Sequence, residues 1–154
     1  MPAATSITIP QFARLIGLPD TPAVVDVRID DDYRADPDAM AAWYVEHLGM
    51  RVVRHSPDPP QVHFLADAAA RAVIEIYCNS GDAIPDYPAM NPLQFHIAFA
   101  APDPDASRDA LVAAGATFVE ERKMPDGSRL LMLRDPWGVP LQLCKRPTPL
   151  LANS

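Results

Sequence analysis

Apolar and polar residues alternate along most of the chain, in short runs set off by proline, glycine and aspartate. Alternation of this kind predicts half-buried strands, because strand side chains point to opposite faces in turn. The pattern places strands at residues 23–29, 51–55, 62–66, 72–78, 94–100 and 116–121, with two closing strands within 130–144. Helical spacing replaces the alternation in two longer stretches. One starts at Asp36-Pro-Asp-Ala and runs through Trp43, Tyr44 and His47 to Gly49. The other starts at Asp103-Pro-Asp-Ala and runs to about Ala114, with Gly115 at its end. In each, the first Asp is placed to cap the helix and the Pro to fill its first position. A shorter helix is expected at 10–17, where Phe12, Leu15 and Ile16 share a face. The closing segment reads strand, turn, strand: Asp135-Pro-Trp-Gly138 is the turn, with Leu141 and Leu143 on one face and Gln142 and Cys144 on the other.

The order strand, helix, three strands occurs twice. Asp36–Ala39 and Asp103–Ala106 are the same four residues, 67 positions apart. The same offset carries Glu75 onto Gln142 and Tyr77 onto Cys144. A repeat this long points to a duplicated βαβββ module rather than a solenoid. The expected fold class is α+β. The expected organisation is an arm with a short helix at 1–22, a first module at 23–82, a joint at 79–92 and a second module at 93–147.

Composition narrows the function classes. The chain has 154 residues, 49% of them apolar and 21% charged, which suits one globular domain. A net charge of −7, with no local cluster of Lys or Arg, argues against a nucleic-acid partner. No apolar run is long enough for a membrane span, and the N-terminus has no secretory pattern. Two cysteines, Cys78 and Cys144, make no disulfide framework, so a cytoplasmic protein with reduced thiols is expected.

Several motifs together carry a resemblance. They are Ala42-Trp-Tyr-Val-Glu-His-Leu-Gly-Met50, Val73-Ile-Glu-Ile-Tyr77, His96-Ile-Ala-Phe99, Ala113-Ala-Gly115 and Asp135-Pro-Trp-Gly-Val-Pro-Leu-Gln-Leu143. The arrangement resembles the vicinal oxygen chelate superfamily, which includes glyoxalase I, bleomycin-resistance proteins and extradiol dioxygenases, over roughly residues 23–146. The resemblance implies two βαβββ modules in a half-open mixed β-barrel around a cavity. It implies one divalent metal ion (Zn, Ni, Mn, Mg or Fe), or none in a resistance-type relative. It also implies a homodimer acting on a small molecule. Carried over by position, the metal ligands are His96, Glu75 and Gln142. Strand parity offers Asp26 or Arg28 as the fourth, whereas the 67-residue offset from His96 gives Ile29. Tyr77, His63, Cys144 and Ala98 are the remaining candidates for the cavity wall. His63 is equally compatible with a packing or edge position.

Two function classes follow. In a glyoxalase-type lyase or isomerase, Glu75 would be the catalytic base, moving a proton beside a metal-polarised carbonyl of a small carbonyl or vicinal-dioxygen substrate. Gln142 weakens that reading, because an amide binds metal less well than a carboxylate and cannot act as a base. A non-haem iron dioxygenase needs a second imidazole on the same face. The alternative is a metal-free protein that sequesters an apolar or aromatic compound. Arg129 and Arg134 flank the closing hairpin, as surface charges or as contacts to an anionic substrate. Residues 6–30 also resemble the opening of a rhodanese-like domain, which implies sulfurtransfer at Cys78 as a minor alternative. The Asp82–Pro88 segment after that cysteine supplies neither a helix nor positive charge to stabilise a thiolate.

Overall fold

The computed structural model describes residues 23–29 (backbone only), 36–58, 61–78 and 85–148. The expected helix at 10–17 lies outside them. The chain divides into two compact units, residues 1–82 and 83–154.

In the first unit β1 (Ala23–Ile29) is followed by α1 (Pro37–Leu48), β2 (Arg51–Ser56), β3 (Val62–Ala66) and β4 (Ala72–Cys78). The sheet order is β1-β4-β3-β2, with β1 parallel to β4 and the other pairs antiparallel. Asp36 caps α1 by accepting a hydrogen bond from the Ala39 amide at 3.0 Å, and Gly49 ends it with φ 67°. Met40 and Tyr44 of α1 are fully buried, as are Leu65 of β3 and Ile76 of β4, while Trp43 is 8% exposed. Both aromatic residues of the Trp43-Tyr44 pair therefore belong to the core beneath the helix.

The second unit repeats the plan with β5 (Ile97–Ala100), α2 (Pro104–Ala113), β6 (Thr117–Lys123), β7 (Arg129–Arg134) and β8 (Pro140–Lys145). Its order, β5-β8-β7-β6, is that of the first sheet, with the first strand again parallel to the last. Asp103 caps α2 through the Ala106 amide at 3.1 Å. Leu131, Leu133, Leu141 and Leu143 are buried on one face of the sheet together with Leu111 of α2. Even the irregularities repeat. The ladder skips one residue between Val52 and Arg54 on β2, and one between Phe118 and Glu120 on β6. A bulge on the outer strand of each sheet disfavours pairing with a further strand.

β5 starts at Ile97, three residues later than the alternation predicts. Asn91 is the cause. Its side chain accepts from the Leu93 amide at 2.9 Å and its carbonyl from the Gln94 amide at 2.9 Å, so 91–94 closes into a turn. His96 then binds back to the Pro92 carbonyl instead of standing in a ladder.

Candidate functional site

Each sheet has a face turned to its own helix and an opposite face. On β4, Ile74 and Ile76 are buried on the helix side, so alternation sets Val73, Glu75 and Tyr77 on the other side, all half-buried. Phe64 of β3 pairs with Glu75, and Val62 with Tyr77, so both extend that opposite face. In the second unit, Ala98 pairs with Gln142 and Ala100 with Cys144, on the face away from the buried leucines. Of the residues expected to line a cavity, Tyr77, Ala98 and Cys144 thus occupy the faces that carry Glu75 and Gln142. His63 does not: it pairs with the buried Ile76 and lies under α1.

The hydrogen-bonded register also revises the fourth position. Asp26 stands opposite Glu75 in the same way that Ala98 stands opposite Gln142. Asp26 therefore corresponds to Ala98, and the counterpart of His96 is Val24, two residues earlier. Parity alone cannot detect a shift of two, because it returns every side chain to its original face. A valine has no donor atom, so this position supplies no ligand.

The chemistry of the other three is uneven. Nδ1 of His96 lies 2.9 Å from the Pro92 carbonyl oxygen, which can only accept, so Nδ1 is the donor and Nε2 is the nitrogen left for another partner. A metal-ligating imidazole is commonly held in this way. Gln142 is different. Its Oε1, the only atom it can offer a cation, already accepts from the Cys144 thiol at 3.2 Å. Burial raises the Cys144 pKa, against a smaller opposing effect of Arg146, and so keeps the thiol protonated as a donor. By residue type, the four positions that the repeat matches are thus an imidazole, a carboxylate, an amide and a valine.

The two arginines have internal partners. Arg129 reaches Asp105 with both terminal nitrogens, at 2.6 and 2.9 Å, and Glu121 with Nε at 2.6 Å. The Arg129 hydrogen bond is the main cause that holds the Asp105 carboxyl down at about 2. A surface groove of about 580 Å³, lined in part by Lys123, Met124 and Gly127, opens beside this trio. Arg134 donates to the backbone carbonyls of Tyr87, Met90 and Gly138, tying the 87–90 turn to the closing hairpin. Asp135 completes that hairpin: its Oδ1 accepts from the Trp137 and Val139 amides at 2.9 and 2.8 Å, and it is buried. The Asp-Pro-Trp-Gly pattern marked the turn, but the alternation gave no sign that Arg134 would bridge to a segment more than forty residues away.

A second constellation escaped the sequence reading. Asp38 at the start of α1, His55 on β2 and His63 on β3 bring three donor atoms within 4.8 Å of one another. His55 and His63 are directly paired across the hairpin and stack at 4.3 Å between ring centroids. Recognising them required knowing the hairpin register, which the Pro59-Pro60 stretch between the strands obscures.

The comparisons agree on one kind of fold. Residues 26–144 match the model of the glyoxalase-like domain. A glyoxalase family protein from Bacillus cereus is similar in structure at a TM-score of 0.65 and 15% identity, covering 80% of this chain and 92% of its own. TioX from Micromonospora sp. ML1 is similar at 0.58 and 21% identity, covering 81% and 98%. A glyoxalase-related enzyme from Fulvimarina pelagi is similar at 0.58 and 20% identity, covering 84% and 91%. No curated protein sequence matches. The comparisons lend no support to the rhodanese-like reading of residues 6–30, most of which lie outside the described residues; β1 itself is the first strand of a sheet of the glyoxalase-like plan.

Proposed function

The chain belongs to the glyoxalase-like domain family, and from that premise we propose that it binds a small, partly apolar organic molecule without a metal at the family's ligand positions. The observation that carries this reading is the donor set: Val24 stands where His96 has its counterpart, and Gln142, an amide whose oxygen also accepts from Cys144, stands where Glu75 has its carboxylate. What these faces offer instead suits an organic ligand. Glu75 and Tyr77 bring a carboxylate and a phenol beside the apolar Phe64 and Val62. Gln142 retains its amide N–H donors, and Ala98 beside it takes little space. Sites for small organic molecules are typically apolar with a few placed polar groups.

The test is a thermal-shift screen of aromatic and carbonyl compounds, repeated with Glu75→Ala and Gln142→Ala. A ligand that raises the wild-type melting temperature by mass action, and fails to do so in either variant, supports the reading. Ligands that stabilise the protein only when a divalent ion is added overturn it.

A second reading, a lyase or isomerase of the glyoxalase type with Glu75 as its base, is favoured by the orientation of the His96 ring. The ring is oriented with Nε2 available, as a metal ligand would be. Stoichiometric metal that is lost on His96→Ala would decide for it.

The same proposal includes a homodimer, since β1 and β5, unlike the bulged β2 and β6, are regular edge strands and small domains often cover such surfaces by pairing. Light scattering at the mass of one chain, 16.8 kDa, would rule that out.

A further inference from the structure

We propose that Asp38, His55 and His63 form a binding site for a zinc-class divalent cation, which fastens the start of α1 to the β2–β3 hairpin. The site lies on the helix side of the first sheet, on the opposite face from Glu75, and uses none of the positions at which the family resemblance places a metal.

The decisive residue is His63. Its side chain is only 6% exposed, yet neither ring nitrogen has a hydrogen bond. Its Nε2 comes within 2.9 Å of Asp38 Oδ1, but off the direction that would make a hydrogen bond. A buried polar atom left in this state is costly, and such atoms are rare in folded proteins. The His55 Nε2 lies 4.0 Å from the same Asp38 oxygen. Three ligands at the usual zinc bond lengths of about 2.0–2.1 Å stand roughly 3.3 Å apart in a tetrahedron. The two separations from Asp38, 2.9 and 4.0 Å, bracket that value. The His55 and His63 rings are stacked 15° from parallel, so one ring must turn out of the stack for both in-plane lone pairs to meet at an ion. Two imidazoles and one carboxylate, with a position left open to water, are a familiar zinc donor set.

The surroundings are arranged for this. Gln61 Nε2 donates to the other carboxylate oxygen of Asp38 at 2.8 Å and leaves Oδ1 facing the two histidines. Outer hydrogen bonds of this kind orient metal ligands. The positive end of α1 opposes a cation with the equivalent of about half a charge. Asp36 and Asp38 bring two carboxyl groups to the same end. Asp38 and His55 are exposed, which gives an ion a path from solvent.

The experiment is a calorimetric titration of Zn²⁺ into tag-free, chelator-washed full-length protein. One ion per chain and a raised melting temperature are expected. His55→Ala and Asp38→Asn, at exposed positions, should each weaken binding at least about tenfold, and Gln61→Ala about tenfold, as outer partners typically do. Variants at Glu75, His96 and Gln142 should leave zinc affinity unchanged, which separates this site from the family's ligand positions. Should the Asp38 or His55 variants fail to fold, ring-nitrogen NMR shifts of His55 and His63 in the wild type on zinc addition serve in their place. Absent zinc binding, unshifted His55 and His63 resonances, full affinity in folded His55→Ala, or loss of binding on His96→Ala instead would overturn the proposal.

Discussion

The Cys144 thiol donates a hydrogen bond to Oε1 of Gln142 at 3.2 Å, between side chains two residues apart on one strand. It takes one of the two lone pairs on the single atom through which Gln142 could act as a metal ligand. Gln142→Glu places a carboxylate at this position. Made on the His55→Ala background, which removes the helix-side cluster, it should acquire a rise in melting temperature with Ni²⁺ or Zn²⁺ that His55→Ala alone lacks. Scanning fluorimetry with and without metal reads the difference. An unchanged melting curve would show that the amide is not what withholds the ion.

Gly138 should not tolerate a side chain. Its φ is 89°, and a Cβ there would stand 2.6 Å from Pro88 Cγ and 3.0 Å from the Pro88 nitrogen. A ring and backbone at that distance cannot swing aside as a flexible chain end would. Gly138→Ala should therefore cost about 2–4 kcal/mol, from the unfavourable φ and the overpacking together. Denaturant unfolding measures it. Gly49→Ala is the control: the φ is also positive, but nothing lies within 4 Å, so the loss should be clearly smaller.

Acid should release the Arg129 trio. Asp105 ordinarily titrates at 3.8 and is held at about 2, chiefly by its hydrogen bond from Arg129; Glu121 is lowered from 4.5 by the same partner. Both groups are depressed in the folded state. In this range the unfolded chain binds more protons, so the stabilisation is complete above about pH 4.5 and is lost as pH falls toward 2. Melting temperature should drop across that window. Arg129→Met should lower it at neutral pH and flatten this slope; an equally steep acid limb would exclude Arg129 as the cause.

The repeated caps allow a matched pair of substitutions. Asp36→Ala and Asp103→Ala each remove one side-chain acceptor for a helix N-terminal amide, at 3.0 and 3.1 Å. Each should cost about 1 kcal/mol. The two lie in different units and share no partner, so the double variant should show the sum of the two losses. A deficit well below the sum in chemical denaturation would mean that one helix amide finds another acceptor.

Much of the architecture was legible because it is set by local chemistry. The Asp-Pro-Asp-Ala starts are the observed helix starts, and the strands at 23–29, 62–66 and 72–78 have the observed bounds. Capping, proline geometry and strand alternation act over a few residues and leave their mark in the order of the amino acids. Glu75 and Gln142 could be matched for the same reason, since the repeat preserved spacing within each module.

What the sequence could not determine is whatever depends on register and on contacts between distant segments. Alternation marks two faces but not which of them meets the helix, so His63 was as compatible with a cavity as with packing, and only the pairing with Ile76 put it beneath α1. Parity tolerates a slip of two residues, so Asp26 stood in for Val24 until the ladder fixed the alignment. The turn that Asn91 closes over 91–94 delayed β5, against the alternation of its own segment. Asp38, His55 and His63 meet because a helix start and two paired strands converge, and that convergence is a property of the folded chain.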